Sequence, residues 1–143
     1  MKVAKNLIEK INSMISDNPP ESGGIIGSEN FGIIDNVVFD EPNSEEVHYC
    51  YYSPNVDFFN KQILTWQDKK VEFMGIFHTH FAGVQSLSDS DKEYITRIMN
   101  DMPEDIAFLY FPVFVLPTRV FVAYKAERTK SGIVIRFDDL TIV

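Results

Sequence analysis

His78-Thr79-His80 is followed, after seven residues, by Ser88-Asp89-Ser90-Asp91. Side chains on a strand repeat every two residues, so histidines at i and i+2 project to one side. A carboxylate brought to the same place completes a set of two imidazoles and one oxygen. Three protein ligands, with a fourth position left for water, is the pattern that catalytic zinc uses. Asp91 is the candidate carboxylate: Ser88 reads as a helix N-cap, which puts Asp91 in the first turn. The same stretch has a purely structural reading. Ser-x-x-Asp is close to a capping box, in which the serine caps the helix and the acidic side chain reaches back. The two readings are compatible, because a capping serine still has a hydroxyl proton to donate.

Zinc hydrolysis also needs a general base, and Glu21 is the candidate. It opens Glu21-Ser22-Gly23-Gly24-Ile25-Ile26-Gly27, where the glycines allow close approach of another backbone or a substrate. Taken without the histidines, Glu21 reads as an exposed loop acid beside a turn. His48 and Cys50 also stand at i and i+2, but no second pair completes a site, and Cys50 reads as a small apolar strand residue.

The elements that must position these residues follow from hydrophobic spacing. Residues 2–17 are predicted as an amphipathic helix with Val3, Leu7, Ile8, Ile11, Met14 and Ile15 on one face. Residues 24–39 are predicted as a strand pair with a turn, and 47–52 as a third strand. Ser53 as N-cap and Pro54 at the first helical position predict a second helix over 54–69, with Val56, Phe59, Ile63 and Trp66 at steps of three or four and Trp66 on its inner face. A buried strand over 71–77 leads to the histidines and a loop over 81–87. The third helix follows Ser88, with Tyr94, Ile95, Ile98 and Met99 as its inner face. Strands are predicted at 106–111, 119–125 and 132–137, with Phe108, Phe111, Phe114 and Phe121 in the sheet core. Part of that phenylalanine stretch is left open as an exposed patch, because Pro112 and Pro117 interrupt pairing. The acids Asp40, Glu41, Glu45 and Glu46 read as a solvated turn. This order favours an α+β layer fold in one domain, residues 1–143.

The pattern Glu21, then H-x-H-x7-S-x-x-D at His78, His80, Ser88 and Asp91, resembles the JAMM or MPN+ metalloproteases (the Mov34/MPN/JAB domain), in a small prokaryotic-type form. The segment Glu21-Ser22-Gly23-Gly24-Ile25-Ile26-Gly27 also looks like that family's glutamate segment. The resemblance implies a curved mixed sheet packed between helices, the cytidine-deaminase-like JAB/MPN architecture. It implies one Zn2+ per chain, held by His78, His80 and Asp91, and no other cofactor. Water activated by the metal would attack an amide, with Glu21 as general base and then acid, and Ser88 hydrogen bonding the oxyanion. The amide would be a peptide or isopeptide bond after the C-terminus of a ubiquitin-like or sulfur-carrier protein, its tail laid along a sheet edge. Two alternatives stay open: a catalytically silent MPN-type interaction module, and a zinc hydrolase of a small amide. Phe81 departs from the family, which has proline after the second histidine; the expected consequence is an altered loop and substrate groove.

Composition excludes other classes. The chain has 143 residues, 13 Lys and Arg against 21 Asp and Glu, and a formal net charge of −8. Such a balance argues against nucleic acid and acidic membranes, whose phosphates are bound by Lys and Arg. One cysteine excludes an internal disulfide framework and a multi-cysteine zinc site. No apolar run approaches the ~20 residues of a membrane span, and the N-terminal stretch lacks a signal-peptide core, so the expected compartment is the cytoplasm.

Overall fold

The computed structural model describes residues 1–40 and 52–143. In chain order it contains β1 (Lys2–Val3), α1 (Lys5–Met14), β2 (Gly23–Ser28), β3 (Ile33–Ile34), β4 (Asn36–Phe39), α2 (Val56–Asp68) and β5 (Glu72–His80). There follow α3 (Asp89–Asp101), β6 (Phe108–Tyr110), β7 (Val113–Val115), β8 (Val120–Val122), β9 (Tyr124–Thr129), β10 (Gly132–Phe137) and β11 (Thr141–Ile142). The predicted strand 47–52, with His48, Cys50 and the acids Glu41, Glu45 and Glu46, lies outside the described residues except for Tyr52, which is buried and not in a strand.

β5 is the central strand. It is antiparallel to β2 on one edge, and on the other edge it is parallel first to β6 and then to β7. The main sheet therefore runs β10-β9-β6-β5-β2-β4, with β7 and β8 as a branch beside the end of β5. The switch of partner happens near Gly75, where β6 comes so close that an added Cβ would lie 1.7 Å from the Tyr110 carbonyl oxygen. Its φ of 146° is also one that L side chains rarely adopt, so glycine is required there.

The register of β5 with β2 slips between Ile26 and Gly27, leaving Met74 as an extra residue. This bulge resets which face each side chain meets. Met74 packs with α1, Ile76 with α2 and α3, and Phe77 with α1 again. Two cores result. On one face Leu7, Ile11 and Ile15 pack on Ile26, Met74, Phe77, Phe114 and Phe121. On the other, Phe59, Trp66, Tyr94, Ile95 and Met99 pack on Ile25, Ile76, Leu109 and Phe111. The mixed sheet thus lies between helices, as expected, and the α+β class holds. Phe111, Phe114 and Phe121 are core residues, and Phe108 is partly buried against the α1 side.

Several boundaries differ from the sequence expectation: the strand predicted over 71–77 runs on to His80, and the pair predicted over 24–39 is three strands, β2, β3 and β4. The first helix is shorter, because residues 2–3 form a parallel strand with β3 and β11. Val3 is fully buried in either conformation, so periodicity does not distinguish them, whereas Met14 is 58% exposed. The second helix is capped by Asn55 in place of Ser53. The Asn55 side-chain oxygen accepts the Phe58 N–H at 3.2 Å, and its own N–H donates to Asp40, which fixes the start at Val56. The carboxyl-terminal strands are more divided: β7 and β11 were not expected, and 119–125 is split at Ala123, whose carbonyl accepts the Asp138 N–H. No helix among the described residues is long and apolar enough to cross a membrane.

Candidate metal centre

After the bulge, β5 alternates Ile76, Phe77, His78, Thr79, His80, so both imidazoles fall on the α3 side. They are 0% and 5% exposed. Their Nε2 atoms stand 2.9 Å apart. Asp91, in the first turn of α3 and 1% exposed, places Oδ1 3.2 Å from Nε2 of His78 and Oδ2 3.0 Å from Nε2 of His80. Ligand atoms of a tetrahedral zinc with bonds of about 2.0–2.1 Å lie about 3.3 Å apart. Each of these contacts, the two nitrogens to one another and each nitrogen to one oxygen of Asp91, is close to that spacing, and two imidazoles with one carboxylate are a donor set that suits zinc.

Glu21 comes from the segment before β2. Its neighbour Ser22 is tied to β5 twice: Thr79 N–H donates to the Ser22 carbonyl at 2.8 Å, and Ser22 N–H donates to Thr79 Oγ1 at 2.9 Å. Glu21, His78 and His80 each bring a ligand atom into a group no more than 4.8 Å across. Two overlapping sets share the histidines, one completed by Glu21 and the other by Asp91. One carboxylate oxygen of Glu21 is buried with no hydrogen-bond partner among the described residues. Glu21 thus carries free acceptor capacity beside the imidazoles.

The protonation of the site follows from burial and pairing. Burial raises the Glu21 carboxyl to about 7; His80 pulls it down and Asp91 pushes it up. Burial alone would raise Asp91, but its hydrogen bonds with His78 and His80, and the Ser88 N–H, hold it far below the usual carboxylate range. His78 is lowered, chiefly by burial and against the pull of Asp91. For His80 burial also acts downward, yet pairing with Asp91 prevails and the net shift is upward.

Ser88 caps α3. Its Oγ accepts the Asp91 N–H at 3.0 Å, and its own N–H donates to Asp91 Oδ2 at 2.9 Å. This is the capping box foreseen from the sequence, and it coexists with the convergence on the histidines. The carboxylate has two oxygens: Oδ1 faces His78, and Oδ2 takes the Ser88 N–H while reaching His80. The positive end of the helix dipole favours a carboxylate at this place.

No family model matches the chain, and no curated protein matches it. Solved structures do. A protein from Desulfitobacterium hafniense superposes with a TM-score of 0.66 at 16% identity, covering 100% of this chain and 93% of that one. A JAB1/MPN domain protein from Archaeoglobus fulgidus gives 0.59 at 16% identity, over 100% and 99%. A structure described as a metalloprotease-like JAMM zinc site in the proteasome and signalosome gives 0.55 at 16% identity, over 100% and 97%. At these identities the likeness is one of fold.

The chain has the JAB1/MPN fold. On this JAB1/MPN scaffold, the turn after His80 is built by Ala82 and Gly83, both at positive φ, and anchored by Gly83 N–H on the Leu116 carbonyl. Phe81 packs against the α1-side core, the face of β5 away from the imidazoles.

Sequence reasoning missed the second layer. His80 Nδ1 bonds the Val84 carbonyl at 3.0 Å, and His78 Nδ1 meets the Tyr94 hydroxyl at 3.0 Å. The Tyr52 ring stacks on His78, with centroids 5.6 Å apart and planes 10° apart, and its hydroxyl donates to Asp40. Tyr94 was read as core from helical spacing, and its ring is core. The available signal was its i+3 position from Asp91, which puts both on one helix face. Nothing in the sequence pointed to Tyr52 or to the Val84 carbonyl.

Proposed function

We propose that this chain is a zinc-dependent metallopeptidase or isopeptidase, with His78, His80 and Asp91 holding one Zn2+. The observation that carries this reading is the convergence of two imidazole nitrogens 2.9 Å apart with the Asp91 carboxylate, one oxygen 3.2 Å from His78 and the other 3.0 Å from His80, and the unfilled carboxylate oxygen of Glu21 beside them. Zinc bound there supplies Lewis acidity, which acidifies water to a pKa of about 7 and polarises a carbonyl.

The chain's own residues do the rest. Glu21, with a carboxyl that titrates near neutrality, takes a proton from the attacking water and gives it to the amine nitrogen as the C–N bond breaks. Asp91 stays ionised and balances the metal's charge. Ser88 uses its oxygen to cap α3 and keeps its hydroxyl hydrogen to donate to the carbonyl oxygen as that atom gains charge. The substrate we propose is the C-terminal tail of a ubiquitin-like or sulfur-carrier protein, cleaved at a peptide or isopeptide bond. The short connection between His80 and Ser88 supports a small enzyme with no insertion to grip a second protein.

Metal content by mass spectrometry tests the reading. About one zinc per chain is expected in the wild type and none in the His78→Ala/His80→Ala double variant. Glu21→Gln is expected to keep the metal and lose about 10²–10⁴ in the rate of cleaving a ubiquitin-like fusion. A wild type that takes up no zinc on reconstitution overturns the proposal, and leaves the chain an interaction module on this fold.

A further inference from the structure

The two candidate histidine ligands are held from behind by partners of different kinds. Nδ1 of His80 meets the Val84 carbonyl oxygen. A carbonyl only accepts, so the neutral ring must carry its proton on Nδ1 and present a lone pair at Nε2. Nδ1 of His78 meets a hydroxyl, that of Tyr94, at 3.0 Å. A hydroxyl donates or accepts, so both neutral tautomers of His78 are open. Only one of them presents a lone pair at Nε2, the atom that faces Asp91 and His80.

Among the described residues Tyr94 is the one hydrogen-bond partner of Nδ1 of His78. His78 is fully buried. Tyr52 lies flat against it, and Tyr94 meets it edge to face with centroids 5.8 Å apart. Tyr94 is itself 3% exposed and is wedged between Tyr52 and Phe111. It stands three residues after Asp91 on α3, so one helix face delivers both the carboxylate and the hydroxyl.

We propose that Tyr94 is a positioning residue for metal binding: with a metal on Nε2 the ring proton of His78 sits on Nδ1, and the Tyr94 hydroxyl accepts it, holding the ring with Nε2 turned toward Asp91 and His80. The inference rests on the zinc reading above and adds to it a residue outside the motif. Partners of this kind on metal-bound histidines orient the ring and raise its basicity, and their loss typically costs 10–100-fold in affinity.

Zinc affinity, measured by competition with a chromophoric chelator, tests this on wild type, Tyr94→Phe and Ile11→Ala, with the Tm of each metal-free protein alongside. Tyr94→Phe removes one oxygen and keeps the packed ring. It is expected to weaken zinc binding about 10–100-fold. Ile11→Ala truncates a fully buried side chain of the α1-side core, remote from the imidazoles, so it is expected to lower Tm while zinc affinity stays within about threefold. Equal zinc affinity in wild type and Tyr94→Phe overturns this inference and leaves the zinc reading standing. A wild type that binds no zinc overturns both. Should Tyr94→Phe fail to fold, histidine nitrogen–proton correlation spectra of zinc-loaded wild type decide. A slowly exchanging Nδ1–H on His78 with a cross-peak to the Tyr94 ring is expected, and an Nδ1–H that exchanges freely with solvent overturns it.

Discussion

On the α1 side of the sheet, Phe77 packs with Ile11, Ile26, Met74 and Phe114, apolar side chains throughout. On the α3 side, the next residue of the same strand is His78, followed two later by His80, with Asp91 and Glu21 beside them. The buried histidine and aspartate side chains of the described residues all lie on this second side. One layer is held by non-directional burial, where a lost methylene costs area and leaves a cavity. The other is held by directed pairs, where a lost atom changes charge and ligand capacity. The two regions should therefore fail in different ways when a single residue is changed.

The largest stability effect is expected on the apolar side. Ile11 is fully buried in α1, remote from the imidazoles. Ile11→Ala should cost about 2–5 kcal/mol, read from denaturant unfolding of the metal-free protein. Zinc stoichiometry of the folded fraction should stay that of the wild type. Loss of the metal in this variant would mean that the two layers are coupled and the contrast is false.

Asp91→Asn approaches the same contrast from the polar side. The amide oxygen can still accept the Ser88 N–H, so the capping geometry survives, but the charge between the histidines is gone. Zinc affinity should fall more than about 100-fold, beyond the usual effect of a residue behind the ligands. A variant that binds zinc as the wild type does would reduce Asp91 to a helix cap.

How far each layer could be read in advance follows the same division. Apolar periodicity located α2, α3 and β10 and the inward side chains Phe59, Trp66, Tyr94 and Ile95, because burial leaves a repeat in the sequence. It misjudged residues 2–3, since Val3 is buried equally as a strand or as a helix residue, and hydrogen bonding to β3 and β11 decided the matter. That His78, His80 and Asp91 come together was legible because strand alternation puts both imidazoles on one side and the Ser88 cap fixes Asp91 in the first turn of α3. The bulge at Met74 was not legible, yet it is what turns His78 and His80 to the α3 side. Tyr52 and the Val84 carbonyl leave no sequence signal at all, because one acts through a ring face and the other through the backbone.

The smallest expected effect separates the layers by pH. In the metal-free protein, the Glu21 carboxyl is raised from the usual 4.5 to about 7, chiefly by burial. Between those values the native state keeps a proton that the unfolded chain has lost, so this group makes stability fall as pH rises, and the fall ends near pH 7. His80, also raised, acts in the same direction, and His78, lowered, acts against it; both are present in Glu21→Gln as well. The difference in unfolding free energy between Glu21→Gln and wild type reports the carboxyl together with the upward push it gives His80. It should be near its minimum below pH 4.5 and grow in favour of the variant toward pH 7, by the order of 1 kcal/mol once solvent screening is allowed for. Ile11→Ala removes no titratable group, so its loss should be the same at both ends of that window. A flat Glu21→Gln difference would place the Glu21 carboxylate in water, away from the imidazoles, and would remove the general base from the proposed mechanism.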